Sequence, residues 1–104
     1  MDVSAEDAAK ARFKARVAAW ADRLNVKPQQ VAVQRMTRKW ASCSLRGRVC
    51  FAADLLVQPR AFQDFVVVHE LLHLRIPNHG KLFQAVLALH VPGWRSQERK
   101  MKSR

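Results

Sequence analysis

The stretch FVVVHELLHLRIPNHGKLF, Phe65 to Phe83, decides how this chain is read. It holds three of the four histidines within eleven residues, His69, His73 and His79, with Glu70 beside the first. From Ala61 to Arg75 the sequence is apolar almost all round, the pattern of a central, buried helix. Val66 to Val68 carry β propensity, so a strand is the competing reading. Pro77 disfavours helical backbone at Ile76 and is expected to end the helix there.

On such a helix, residues four apart share a face, so His69 and His73 can direct two imidazoles at one ion. Glu70 lies about 100° round from His69, within reach of a water on that ion without being a ligand. Two histidines do not complete a zinc site. His79 is placed to be the third ligand, because the chain can turn back after Pro77. A chance H-E-x-x-H in a chain of this length is expected on the order of a few times in a thousand. A glutamate in an apolar helix is also costly unless a cation compensates it.

Three imidazoles leave one position of a tetrahedral zinc ion for water, which is the catalytic arrangement. If Cys43 or Cys50 filled that position, the site would be a structural staple instead. In the open case zinc lowers the pKa of its water to about 7, and Glu70 can take the proton. The hydroxide then attacks a polarised carbonyl, a peptide bond being the expected substrate, and Glu70 returns the proton to the leaving amine. Oxyanion stabilisation calls for a further donor. The chain has no tyrosine, so zinc itself, His90, an arginine or a backbone N–H must serve, and His90 reads more simply as the polar end of the last helix.

Outward from this stretch, the 104 residues are the length of one domain, and nearly half of them are hydrophobic. No run of about eighteen apolar residues suggests a membrane span. The N-terminal MDVSAEDAAKARFK lacks an apolar leader, and its Asp2, Glu6 and Asp7 argue against a transit peptide, so a cytoplasmic address is expected. Cys43 and Cys50 match no zinc-knuckle spacing and read as buried free thiols. The balance is strongly basic, 19 Lys and Arg against 8 Asp and Glu, for a net +11. That favours polyanions such as nucleic acid. The cations are nevertheless spread over the N-terminal segment, the middle and the tail WRSQERKMKSR, as on a solvated basic surface.

Ala5 to Leu24 places Phe13, Val17, Trp20 and Leu24 at helical spacing, with Ser4 as N-cap. VAVQRM, Val31 to Met36, alternates like a half-buried strand. KWASCSL and RVCFAA flank Arg46-Gly47, a hairpin with its turn near Gly47. Pro59 suits the first turn of the histidine-bearing helix. A further helix is expected over Lys81 to His90, stopped by Pro92-Gly93.

The segment RKWASCSLRGRVCFAADLLVQPRAFQDFVVVHELLHLRIPNHGKLFQAVL resembles the YgjP-like metallopeptidases, relatives of the SprT-like and WLM proteases in the gluzincin-like group. The likeness spans roughly Val26 to Trp94. It implies His69, His73 and His79 as zinc ligands and Glu70 as catalytic base. Ala41 stands where that family usually has Gly, Phe65 where it has Tyr, and Gly80 where Ser is common. In gluzincin-like proteases an edge strand pairs with the extended substrate, and RVCFA, Arg48 to Ala52, is the candidate here, with an ordinary structural hairpin as the alternative reading. The expectation is therefore one α+β zincin-like domain over residues 1–104. It comprises an N-terminal helix, a small three-stranded sheet, the HExxH active-site helix and a following helix. It would bind one Zn2+ and act as a monomeric peptidase on peptides or proteins. The alternative is a basic nucleic-acid-associated zinc domain with little proteolysis of its own.

Overall fold

Ser4 opens the first helix in a computed structural model that describes residues 4–104. Its backbone is extended and its hydroxyl accepts the Asp7 N–H at 3.0 Å, satisfying one of the orphan donors of α1, Ala5–Leu24. Glu6 and Asp7 complement the positive end of the helix dipole. Asn25 ends the helix in the left-handed region, φ 55°, with its N–H on the carbonyls of Ala21 and Asp22. Phe13, Val17, Ala21 and Leu24 form the buried stripe, and Trp20 flanks it, partly buried.

Strands β1 (Gln30–Gln34), β2 (Ala41–Cys43) and β3 (Arg48–Ala52) follow. The β2–β3 hairpin turns at Gly47, whose φ of 88° is one that side chains rarely allow. The Gly47 N–H bonds the Ser44 carbonyl at 3.0 Å, and the Gly47 carbonyl accepts Gln29 N–H at 2.9 Å. Pairing is antiparallel for β2 with β3 (Ala41 opposite Phe51) and parallel for β1 with β3 (Val31 opposite Val49). The order is β1-β3-β2, so β3 is the central strand. This corrects the expectation that Arg48 to Ala52 is the edge available to a substrate. Val49, Cys50, Phe51 and Ala52 are all buried, as a strand covered on both faces requires. The six residues between β1 and β2 need only step over one strand, about 10 Å.

A 3-10 turn, Ala53–Val57, leads to α2, Arg60–Leu72, with Pro59 as its N-cap. Every residue from Phe65 to Leu72 is buried, and α2 is the central helix, packed by α1, by β2 and by the two helices that follow it. It ends four residues before Ile76. The N–H groups of His73, Leu74 and Arg75 reach carbonyls three residues back, tightening the last turn ahead of Pro77. Helix α3 runs Lys81–His90 as expected. A fourth helix, α4 (Trp94–Lys102), was not anticipated. Its sequence reads as a charge run, but its straight-chain residues favour helix, and Trp94 and Met101, seven apart, turn inward. No helix among the described residues is long and apolar enough to cross a membrane.

One hydrophobic cluster joins all these elements. Phe13 meets Phe51 edge-on at 5.2 Å, and Trp40 meets Phe62 likewise at 5.2 Å. Gln63, buried inside α2, donates to the carbonyls of Leu56 and Gln58 and accepts from Arg16. At the far end, the Arg104 guanidinium forks onto both oxygens of Asp54, at 3.0 and 2.8 Å. It also bonds the carbonyls of Met36 and Thr37 and stacks on Trp40. Together these contacts tie α4 to the segment that leads into β2.

Candidate metal centre

His69 lies one turn before the end of α2 and is 9% exposed. His73 caps that helix, and His79 precedes α3 on the loop that Pro77 turns back. Their ring centroids lie 5.0, 5.1 and 4.6 Å apart, and one nitrogen from each falls within 4.8 Å of the others. The Nε2 atoms of His73 and His79 are separated by 2.9 Å.

Phe83, on the first turn of α3, is the floor of this cluster. Its ring lies 5.3, 5.0 and 4.9 Å from those of His69, His73 and His79, nearly stacked on His73 at 29°. The sequence reading gave Phe83 no role. The available signal was its place four residues after His79, at the start of a helix.

The donor set fits a divalent ion. Burial first, and then the neighbouring His69, pushes His73 below the ordinary imidazole value, towards the neutral form that can coordinate. The buried Nδ1 of His69 has no hydrogen-bond partner. Its nearest charged neighbour, Oε2 of Glu70, is 3.6 Å away, too far for a hydrogen bond. Glu70 is itself 6% exposed, a buried carboxylate whose cost a cation would offset.

These groups line a cleft of about 970 Å³. One wall is β2 with its turn, Ala41 to Gly47, and another is the α1–β1 connection. A model of the YgjP-like metallopeptidase domain matches residues 2–104. The chain belongs to the YgjP-like metallopeptidase family. Its fold is also that of two archaeal metallopeptidase zymogens. Abylysin of Pyrococcus abyssi superposes with a TM-score of 0.74 at 18% identity, over 88% of this chain and 92% of that one. Jannalysin of Methanocaldococcus jannaschii gives 0.74 at 22% identity, over 86% and 91%. Among the curated proteins, none matches.

In this YgjP-like chain the histidines that converge, among the described residues, are His69, His73 and His79. His90 sits apart, edge-on to Trp20 with centroids 6.2 Å away, so it is not available to an oxyanion in the cleft. Both cysteines are free thiols. Cys50 is buried in the central strand. Cys43, on β2, lines the cleft but stands outside the histidine cluster. Burial, and then the charge of Glu70, raises its thiol above the usual value.

Proposed function

We propose that this YgjP-like chain is a zinc-dependent peptidase of the HExxH type, a single catalytic domain that holds one Zn2+ through His69, His73 and His79. The observation that carries this reading is the convergence of three imidazoles beside a buried carboxylate. Zinc held there supplies a Lewis acid for the scissile carbonyl and a water that is nucleophilic near neutral pH. Glu70 is the proton carrier: its carboxylate takes the proton of the attacking water and gives it to the departing amine. Phe83 and Phe65 pack the imidazoles and limit their rotation, which is the positioning such a site needs.

The substrate strand is assigned to β2 rather than β3. β2 is an edge of the sheet and lines the cleft. On its side away from β3, the backbone N–H and C=O groups can pair with an extended peptide with little demand on its sequence.

The test compares wild-type protein with Glu70→Gln, both loaded with zinc, on an unfolded protein substrate. Hydrolysis that a chelator abolishes and zinc restores, together with a variant that keeps its zinc but cuts nothing, supports the reading. A zinc-loaded wild type that never cuts, or a variant as active as the wild type, contradicts it.

A further inference from the structure

Four cations line the cleft without a role in the chemistry above. Lys27, Lys39, Arg46 and Arg75 are all exposed, and among the described residues the only acidic side chain in the lining is Glu70, itself buried. Four cations outside the cleft are paired with carboxylates, Lys10 with Glu6, Arg60 with Asp64, Lys102 with Glu98 and Arg104 with Asp54. Among the described residues, none of the four cleft cations forms such a pair. Arg75 is held only by the neutral carbonyl of Leu24, at 3.1 Å, so its charge stays uncompensated.

Their placement follows the proposed substrate strand. Lys39 stands just before β2 and Arg46 in the turn just after it. Lys27 belongs to the α1–β1 connection, which the Gln29–Gly47 hydrogen bond fastens to that same turn. The bond from Arg75 to Leu24 sets it at the end of α1, where that connection begins. Cations therefore flank both ends of β2, with most of them at the turn end. A cleft lined by one sign of charge concentrates ligands of the other sign and speeds their capture about 10- to 1,000-fold.

We infer that the cleft selects acidic peptide segments, those carrying Asp or Glu within a few residues on either side of the scissile bond. The inference rests on the peptidase reading and adds its substrate class. A polynucleotide is the other polyanion to consider. Among the described residues the cleft lining contains no Phe or Trp on which bases could stack, while the edge of β2 away from β3 offers amide pairing that an extended peptide uses.

The test uses three peptides with one common scissile core and flanks of Glu, Gln or Lys. Binding is measured by fluorescence anisotropy to full-length zinc-loaded Glu70→Gln, and kcat/KM with the wild type. At low salt the Glu-flanked peptide is expected to bind and be cut at least tenfold better than the Lys-flanked one. The difference should shrink at 0.5 M salt, where exposed charges are screened, and the double variant Lys39→Glu, Arg46→Glu should reverse the order. Equal affinity of Glu70→Gln, with its cleft cations intact, for all three peptides overturns the inference even if hydrolysis is found. Tighter binding of a thymidine oligonucleotide than of the Glu-flanked peptide also overturns it. An absence of cutting with the binding order intact strikes the peptidase reading instead.

Discussion

The Nε2 atoms of His73 and His79 face each other across 2.9 Å, although one belongs to the cap of α2 and the other to a loop six residues on. At that distance the two rings are in hydrogen-bond contact, and with His69 they offer three ring nitrogens within 4.8 Å of one another, a set that one ion can take up. Zinc should raise the melting temperature of the wild type, by the equivalent of about 2.7 kcal/mol at a hundred times its Kd. His79→Ala should show no such rise and should purify without metal. A variant that still binds zinc stoichiometrically would remove His79 from the site.

Phe83 touches all three histidine rings from below. Phe83→Leu keeps the site apolar but takes away the flat surface on which His73 rests. Zinc affinity is expected to fall about 10- to 100-fold, as for other groups that orient metal ligands, at a stability cost of about 1–2 kcal/mol. A zinc titration by calorimetry checks this. Unchanged affinity would make Phe83 a packing residue only.

Cys43 should be a sluggish nucleophile. A thiol raised by burial and then by the charge of Glu70 holds less thiolate at neutral pH, and the thiolate is the reactive form. In metal-free protein, alkylation by iodoacetamide is expected to lag free cysteine at pH 7 and approach it as pH rises. Glu70→Gln removes the second cause, so its Cys43 should react faster. Cys50, buried in β3, is the internal control. Alkylation at the rate of free cysteine would contradict this picture.

The HExxH helix, the return of the chain at Pro77 and the capped α1 were all legible locally. Each depends on residues within one or two turns of each other, such as Ser4 with Asp7 or His69 with His73. The hairpin was legible at Gly47 for the same reason. What escaped was non-local. Nothing near Arg48 to Ala52 says that β1 will join β3 in parallel on its far side, which moves the free edge to β2. The role of Phe83 depends on α3 folding back under α2, and α4 owes its place to Trp94, Met101 and the Arg104 contacts rather than to a visible apolar stripe.

Those Arg104 contacts can be weighed. Arg104→Ala loses the forked pair with Asp54, two carbonyl bonds and the Trp40 stack. Because Asp54 is half exposed, the loss is placed at about 1–2 kcal/mol. For a domain of this size each kcal/mol corresponds to about 4–8 °C in Tm. A melting temperature equal to the wild type would show the contacts to be incidental.

The measurement closest to the core of the account is X-ray absorption spectroscopy of the zinc-loaded wild-type protein at the zinc edge. The account predicts three imidazole nitrogens and one oxygen at about 2.0–2.1 Å, and no sulfur. A sulfur shell near 2.3 Å, from Cys43 closing the fourth position, or only two imidazoles around the ion, would contradict it.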